Sequence, residues 1–419
     1  MAEQRDVQKL LFGAFRAGLA AADPARVLPA HLPPPPEGRL VVVGAGKAAA
    51  AMARATEIFY RAHYPDADLE GVVVTRYGHN VPTERIGVLE ASHPVPDAAG
   101  VAATQEILAL AEGLGEDDLL LCLISGGGSA LLCAPDGVTL AEKAALTQAL
   151  LRSSADIGEM NTVRKHLSRV KGGDLARAAF PARVLSLIVS DVAGDDLGVI
   201  ASGPTVSDAS TVAEAVGVLK RYGLEPPPHL SRATETPKPG DPVFARVQNR
   251  LVASAQGMLE AVAEHFRERG VTPLILSESV TGEAREVAKV HAALARQVRA
   301  HAQPLGPPCA LLSGGETTVT VRGGGRGGRN CEFALSLALS LVGLEDVYAL
   351  AADTDGIDGD SDAAGALVTP ETLSEMSHAE ARCYLDDNDA YSFFERAGGL
   401  VRTGPTLTNV NDLRVVLIF

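Results

Sequence analysis

The sequence predicts an α/β protein of two domains, the first built on a Rossmann-like, doubly wound and mostly parallel sheet. The chain has 419 residues, more than one hydrophobic core usually holds. Short apolar runs alternate with alanine-rich helical patterns, which favours parallel strands joined by helices. A proline-rich stretch at 226–242 interrupts this alternation. We therefore expect domains at 1–236 and 237–419, the second smaller and also α/β.

The first domain is predicted to begin with a helix and to continue with four strands. Apolar residues recur at helical spacing between Val7 and Leu19, which indicates one amphipathic helix at 4–22. The strand runs are apolar on both faces, as is typical of strands covered by helices on each side of a sheet. These runs lie at 40–43, 72–75, 119–124 and 184–189.

The second domain shows the same alternation. Its predicted strands lie at 250–253, 272–276, 310–312, 317–321 and 348–351. Its predicted helices lie at 256–269, 283–301 and 331–341. A last apolar run at 413–419 predicts a strand that can join either sheet, including a return to the first one.

Composition and charge exclude several classes of protein. With 46% hydrophobic and 21% charged residues, the chain is typical of a well-packed globule, and no apolar run approaches the ~20 residues of a membrane span. A net charge of −15 and the absence of Trp disfavour nucleic acid and anionic membranes as partners. The chain begins without a basic and then apolar leader, so we expect a cytoplasmic protein. Five cysteines without CxxC spacing predict reduced thiols.

A glycine turn follows the first predicted strand. Gly44 and Gly46 precede Lys47 and an alanine-rich helix, a pattern that can present backbone amides to an anion. We expect phosphate or carboxylate binding there, with Lys47 reaching across; the alternative is a tight turn with a solvated lysine. Ala48 stands where a Walker A loop has Ser or Thr, and no acid follows the next strand as a dinucleotide fingerprint requires.

A second glycine-rich segment follows the predicted strand at 119–124. Its backbone amides can converge into an anion-binding nest at the carboxyl edge of the sheet, although a flexible loop is the alternative. The predicted nest consists of Ser125, Gly126, Gly127, Gly128 and Ser129.

Cations are concentrated just beyond the nest, in an otherwise acidic chain. Asn161, Arg164 and Lys165 lie on a predicted helix, whose spacing brings Lys165 and Arg169 onto one face. Binding of a phosphate or of a substrate carboxylate is one interpretation, and a solvated basic helix is the other.

An acid follows the predicted strand at 184–189. Asp191 at this position is suited to act as a metal ligand or as a base for a substrate hydroxyl, because the carboxyl ends of parallel strands are where ligands collect. Capping of a following helix is the alternative.

The second domain contributes arginines set among glycines. Arg326 and Arg329 follow a Ser-Gly-Gly segment that leads to Glu316, and the glycines allow a guanidinium to approach oxyanions closely. Arg329 begins a predicted helix, where a phosphate gains from both the side chain and the helix dipole. Arg326 can equally be a solvated residue of the loop.

Five acids occur within ten residues after the predicted strand at 348–351. The spacing resembles a calcium-binding EF-hand loop only superficially, because Ala363 stands where that loop needs Gly and Thr369 where it needs Glu. Repulsion among the carboxylates calls for a cation, so we expect Asp353 and Asp355 to bind Mg²⁺ that bridges a nucleotide. An acidic, solvated turn is the alternative.

Taken together and in order, nine motifs resemble the glycerate 2-kinase family over nearly the whole chain. They are Gly44-Ala-Gly-Lys47-Ala-Ala, His93-Pro-Val-Pro-Asp97, Ser125-Gly-Gly-Gly-Ser-Ala, Asn161-Thr-Val-Arg164-Lys165-His-Leu-Ser, Ser190-Asp191-Val, Ala201-Ser-Gly-Pro204-Thr, Ser313-Gly-Gly-Glu316-Thr, Gly327-Gly-Arg329-Asn-x-Glu332 and Asp353-Thr-Asp355-Gly-Ile-Asp358-Gly.

This resemblance implies an ATP-dependent kinase that phosphorylates the 2-hydroxyl of D-glycerate with Mg²⁺, and a MOFRL region at about 309–415. In the family a cleft lies between two α/β domains, and a lysine of the Gly-x-Gly-Lys turn and an arginine of Gly-Gly-Arg-Asn are proposed to be catalytic. Lys47 and Arg329 match those positions. Phosphoryl transfer depends on positioning and charge neutralisation, which suits a site built from cations and a metal. Asp191 would orient the attacking hydroxyl.

Two other functions fit parts of the sequence. One is an NAD(P)H-dependent hydroxypyruvate reductase, a name that relatives of this family have carried, which would use the Gly44–Gly46 turn for its cofactor. The other is a non-catalytic sensor of a phosphorylated metabolite. In each case the partners are small molecules, with a homodimer as a further possibility.

Overall fold

The computed structural model describes residues 2–153 and 155–419. The chain forms two compact units. One unit consists of Pro24–Val252, and in the other the chain up to Asp23 joins Ala253–Phe419. We call them the first-sheet unit and the second-sheet unit. Two α/β domains were predicted, but the division of the chain between the units differs from the predicted boundary at residue 236.

Strands and helices alternate along most of the described chain. The strands are β1 Leu40–Ala45, β2 Leu69–Arg76, β3 Ile86–Ala91, β4 Leu119–Ile124, β5 Arg183–Val189, β6 Val247–Ala253, β7 Thr272–Ser277, β8 Cys309–Ser313, β9 Val347–Asp353, β10 Gly365–Val368, β11 Leu400–Val401 and β12 Asp412–Ile418. The α-helices are α1 Ala2–Ala21, α2 Pro24–Val27, α3 Ala49–His63, α4 Ala98–Glu112, α5 Gly128–Leu131, α6 Leu140–Arg152, α7 Ile157–His166, α8 Asp174–Ala179, α9 Val212–Arg221, α10 Ala255–Arg267, α11 Ala284–His301, α12 Arg329–Ser340, α13 His378–Asp386 and α14 Ala390–Ala397.

The first sheet has the strand order β3-β2-β1-β4-β5-β6. The five strands from β3 to β5 pair in parallel, and the four predicted strands of this region are confirmed. The strand order reverses between β1 and β4, and doubly wound sheets bind their ligands at this switch point, beyond the carboxyl ends of the strands. The loops that follow β1 and β4 are therefore the natural position for a ligand.

The edge strand β6 corrects one prediction. Residues 250–253 were assigned to the second domain, but they lie in β6, next to β5 in the first sheet. The side chain of Asn249 on this strand accepts a hydrogen bond from Thr205 Oγ1 at 2.6 Å and donates one to Thr205 O at 3.1 Å. The prolines at 226–242 thus interrupt the pattern without ending the unit.

The first helix also belongs to a different unit from the one predicted. α1 was correctly predicted as a helix, but it packs on α10 of the second-sheet unit, where His265 Nε2 lies 3.2 Å from Leu10 O. Gly18 faces the same helix so closely that a Cβ there would lie 3.0 Å from Met258 Cγ. The helix was predicted as part of the first domain because it precedes β1 in the sequence, whereas the structure places it in the second-sheet unit.

The second sheet has the order β11-β10-β9-β12-β8-β7. β7 and β8 are parallel, and the other described pairs are antiparallel. The final strand, β12, lies between β9 and β8 and is buried along its whole length, so it does not return to the first sheet.

The predicted strand at 317–321 is wrong. Thr318 makes an isolated bridge with Glu283, and Val321 is 74% exposed. Among the described residues, no neighbouring strand forms a ladder with this segment.

The predictions about thiols and membrane spans can also be compared with the structure. All five cysteines are free, and Cys383 is the exposed one among them. Among the helices of the described residues, none combines the length and apolar character needed to cross a membrane.

Candidate functional site

The turn after β1 is hydrogen-bonded to the loop after β4. Gly46 donates its amide to a carbonyl of β2 at 3.1 Å. Lys47 donates its amide to Gly126 O at 2.8 Å, and Ala48 donates to Ser125 Oγ at 3.0 Å. All three amides of the turn are used within the protein, so the prediction that the turn offers them to an anion is wrong. The turn contributes the half-buried side chain of Lys47 instead.

The two glycines of this turn are explained by close packing of β1 on β4. A Cβ on Gly44 would lie 2.3 Å from Leu123 O, and one on Gly46 would lie 2.1 Å from Ser125 Oγ. Gly46 also has a φ of +138°, which L-residues rarely adopt. The glycines therefore bring Lys47 next to the loop after β4.

That loop keeps the features of the predicted nest. Gly127 has a φ of +80°, and within the described residues the amides of Gly126 and Gly127 donate to no acceptor. A Cβ on Gly127 would lie 3.1 Å from the ring of His93 and 3.4 Å from Lys47 Cγ. Lys47 and His93 thus border the nest. His93 begins one of the nine motifs but was not among the predicted site residues.

A chain of polar side chains extends from the nest. Ser129 Oγ lies 3.0 Å from Ser202 Oγ, which in turn donates to Asn161 Oδ1 at 3.5 Å. Ser202 has a φ of +61° and Ala201 one of +52°, conformations that cost about 1–2 kcal/mol each for L-residues. Such strain is typical of functional sites. Ser202 was not among the predicted site residues.

Three cations lie near this polar chain. Lys171 is 1% exposed and donates to Ser129 O at 2.8 Å, and Lys143 is 8% exposed and donates to Leu167 O at 2.8 Å. The side chain of Arg164 is half-buried and makes no hydrogen bond or ion pair with any described residue. Burial lowers the pKa of all three groups, that of Lys143 to about 8. Of these three, Arg164 alone was among the predicted site residues.

Lys165 occupies a different environment from Arg164. Its Nζ lies 3.2 Å from Asp208 Oδ1, and the side chains of both residues are largely buried. Asp208 also accepts hydrogen bonds from Ser210 and Thr236. The charge of Lys165 is therefore balanced within the protein.

Asp191 lies at the same edge of the sheet as the nest. It follows β5, which pairs in parallel with β4 and sets Ile188 opposite Ile124. A short 3-10 helix at Ala193–Asp195 follows, with Val192 as the residue that precedes it.

In the second-sheet unit, Arg329 begins α12 and contacts three carboxylates. Its Nε lies 3.0 and 2.9 Å from the two carboxylate oxygens of Asp412. Its Nη2 lies 2.8 Å from Asp353 Oδ2, and its Nη1 lies 3.0 Å from Glu316 Oε1. Although burial opposes it, the attraction of these carboxylates raises the pKa of Arg329 above its ordinary value. The guanidinium is thus charged and held in place.

Asp412 and Arg414 support this arrangement and were missed by the sequence analysis. Arg414 is fully buried, and its Nη2 lies 2.5 Å from Asp412 Oδ2. It also donates to Gly314 O at 3.0 Å and to Thr317 Oγ1 at 3.1 Å. The sequence does contain a signal for these two residues, because an acid and an arginine accompany the apolar run that forms β12.

The acidic segment after β9 does not gather into one cluster. Asp358 caps α12, because its two oxygens accept the amides of Asn330 at 2.9 Å and Cys331 at 2.8 Å. Asp353 and Asp355 are both buried, and Asp355 donates its amide to Asp353 Oδ1 at 3.0 Å. No group of three or more metal-ligating side chains occurs in the described residues. Two carboxylates suit Mg²⁺ when phosphate oxygens and water complete its six positions.

The glycine loop before α12 is ordered by side chains of this unit. Arg322 donates its amide to Asn388 Oδ1 at 2.7 Å, and Arg326 donates its amide to Asp389 Oδ1 at 3.0 Å. The exposed guanidinium of Arg326 lies 4.3 Å from the ring centroid of Tyr391. A cavity of about 380 Å³ adjoins this loop and Arg329, large enough for part of a small ligand.

Comparison with known proteins places the chain in a family. Residues 10–235 match the family described as "Domain of unknown function (DUF4147)", and residues 309–412 match the MOFRL family. An Agrobacterium vitis protein named "Putative hydroxypyruvate reductase" is 52% identical, over 96% of this chain and 93% of its own length. D-glycerate 2-kinase of Thermotoga maritima is 42% identical over 100% of both chains.

A solved structure agrees with these matches. The crystal structure of glycerate kinase from Thermotoga maritima gives a TM-score of 0.89 at 40% identity, covering 99% of this chain and 100% of that one. The fold and the length are therefore shared along the whole chain. The chain belongs to the family that combines the DUF4147 and MOFRL regions and includes proteins named D-glycerate 2-kinase.

Proposed function

We propose that the chain is a glycerate 2-kinase that transfers the γ-phosphoryl group of ATP to the 2-hydroxyl of D-glycerate. One observation carries this proposal. The side chain of Lys47 lies at the switch point of the first sheet, beside the amides of Gly126 and Gly127, which have no acceptor among the described residues. A cation and converging amides are the groups that bind phosphoryl oxygens. The relatives named glycerate kinase support the choice of acceptor.

Neutralisation of charge is the main task of the residues in this mechanism. Lys47 and the nest amides stabilise the negative charge that spreads over the phosphoryl oxygens during transfer. We assign the same task to Arg329, whose position its carboxylate partners fix before the substrate binds. Preorganised donors of this kind require no rearrangement at the moment of reaction.

Asp191 is our candidate for handling the proton of the acceptor. A carboxylate at the carboxyl edge of the sheet, next to the loop after β4, can orient the 2-hydroxyl and accept its proton. The proton then leaves the oxygen as that oxygen bonds to phosphorus.

Asp353 and Asp355 are our candidates for holding Mg²⁺ together with nucleotide phosphates. The ion would neutralise part of the phosphate charge when bound. Other predicted binding residues keep that status: Asn161, Arg164, Lys165, Glu316 and Arg326. A homodimer and a cytoplasmic location also stay predictions.

The reductase alternative has support from the name of the Agrobacterium vitis relative. In dinucleotide-binding folds, however, the amides of the first glycine turn bind the pyrophosphate. The amides of Gly46, Lys47 and Ala48 all have acceptors within the protein. The next strand, β2, ends at Arg76 without the acid that holds a ribose.

Two assays on the same preparation decide between these functions. The first measures ADP formed from ATP, Mg²⁺ and D-glycerate, and the second measures NADH or NADPH consumed with hydroxypyruvate. We expect ADP formation that depends on glycerate and no consumption of either reduced cofactor. Cofactor consumption without ADP formation would establish the reductase, and tight binding of 2-phosphoglycerate with neither activity would establish the sensor.

A further inference from the structure

The first-sheet unit contains three basic side chains that are buried or half-buried and form no ion pair with a described residue. We call Lys143, Arg164 and Lys171 the buried cation cluster. The two lysines donate to the backbone carbonyls of Leu167 and Ser129. None of the three forms an ion pair with a described residue, whereas Lys165 on the same helix as Arg164 does.

The three groups lie close enough to act on one another. The pKa of Lys171 is lowered first by burial and then by the charges of Lys143 and Arg164. The pKa of Lys143 is lowered by burial and by Arg164, while Cys133 and Asp136 act in the opposite sense. Like charges held together away from water are unfavourable, which lowers these pKa values, and an anion bound beside the cluster would favour the charged forms.

The cluster adjoins the nest and has an accessible side. Lys171 contacts the backbone of Ser129, which belongs to the nest. Arg164 follows Asn161 by one turn of α7, so the two side chains lie on one face of that helix. Arg164 keeps partial exposure, while the lysines are buried. An anion can therefore reach Arg164 from solvent, whereas both lysines are buried.

We propose that the buried cation cluster binds the carboxylate of the phosphoryl acceptor and so selects 2-hydroxy acids over uncharged polyols. This inference rests on the proposed function, in which Lys47 and the nest amides bind the phosphoryl group. A hydroxy acid then needs a second positive pocket beside the first, and the link from Lys171 through Ser129 supplies one. Arg164 is the contacting residue, and Lys143 and Lys171 are positioning residues.

Steady-state kinetics of three variants test the proposal. Arg164→Gln, Lys143→Met and Lys171→Met each should raise KM for D-glycerate about 10- to 100-fold, as loss of a charged hydrogen-bond partner does, and leave KM for ATP unchanged. Lys220→Met, an exposed site on α9, is the matched control and should change neither constant. A rise in KM for ATP with KM for glycerate unchanged would overturn the proposal, as would no change in either constant.

A second measurement needs no variant and no turnover. Calorimetry measures D-glycerate binding to the wild-type protein about one pH unit above the pKa of Lys143. Repeating the titration in two buffers of different ionisation enthalpy reports the number of protons taken up on binding. Lys143, with its pKa of about 8, is mostly neutral there, and a bound carboxylate restores its charge. We expect uptake with glycerate and none with glycerol. Glycerate binding without proton uptake would overturn the proposal.

These results separate the proposal from the function on which it rests. If the wild-type protein forms no ADP but binds glycerate with proton uptake that Arg164→Gln abolishes, the carboxylate pocket stands and the kinase assignment fails. If the wild-type protein phosphorylates glycerate and all three variants keep its KM, the kinase assignment stands and the pocket fails.

Discussion

Arg329 and Asp412 form a two-point ion pair, with the guanidinium Nε 3.0 and 2.9 Å from the two carboxylate oxygens. Asp412 is fully buried, and it also pairs with the fully buried Arg414. Asp412 therefore contacts two guanidinium groups, so the fold of the second-sheet unit and the position of Arg329 depend on the same residue.

Replacing that carboxylate should destabilise the protein strongly. Asp412→Asn leaves Arg414 without its partner, and breaking a buried ion pair from one side costs about 3–5 kcal/mol of unfolding free energy. Urea denaturation measures this loss. Asp346→Asn is the matched control, because Asp346 is exposed and lies 3.8 Å from its partner Arg299. Equal stability of the two variants would contradict the role given to Asp412.

Lys47 should matter for turnover and little for folding. Lys47→Ala removes the cation beside the nest, and loss of one preorganised donor lowers kcat by about 100-fold or more. The rate is measured by ADP release, with thermal melting to confirm that the variant is folded. Lys220→Ala serves as the exposed lysine control. A Lys47→Ala variant with near-normal turnover would reject the assignment.

The nest predicts a difference between two glycines with similar backbones. Gly127 has a φ of +80° and Gly223 one of +69°, but a Cβ on Gly223 would meet nothing within 4 Å. Gly127→Ala and Gly223→Ala should both lose about 1–2 kcal/mol of stability from backbone strain. Gly127→Ala alone should also reduce turnover, because its methyl group would press against the His93 ring that borders the nest. Equal activity in the two variants would argue against the nest.

Asp174 should make stability depend on pH in an unusual direction. Burial raises its pKa from 3.8 to about 7, although its ion pair with Arg177 opposes the shift. The folded protein then holds the proton more tightly than the unfolded chain, so this residue's contribution is greatest near pH 4 and is lost as pH rises to about 7. Asp174→Asn should gain stability relative to wild type across that interval in urea titrations. A difference independent of pH would contradict the shift.

Four strands of the first sheet, β1, β2, β4 and β5, could be predicted because each is a run of apolar residues bounded by turns. β4 lies at Leu119–Ile124, as predicted, and β1 begins at Leu40. Pairing between distant segments was harder to predict. The position of β12 between β9 and β8, and the packing of α1 on α10, depend on contacts that no local pattern records.

The site was predicted best where one motif contains both a glycine that the backbone conformation requires and a charged side chain suited to bind an anion. Lys47 and Gly127 were found through their glycines, and Arg329 through its place at the start of a helix. Lys143 was missed because a lysine in sequence looks solvated, and its burial depends on tertiary packing.

Phosphorus NMR of the product formed from D-glycerate, ATP and Mg²⁺ decides whether the chain is a 2-kinase. We predict resonances of 2-phosphoglycerate and ADP in equal amounts. Formation of 3-phosphoglycerate, or ATP left intact while glycerate is bound, would contradict the assignment.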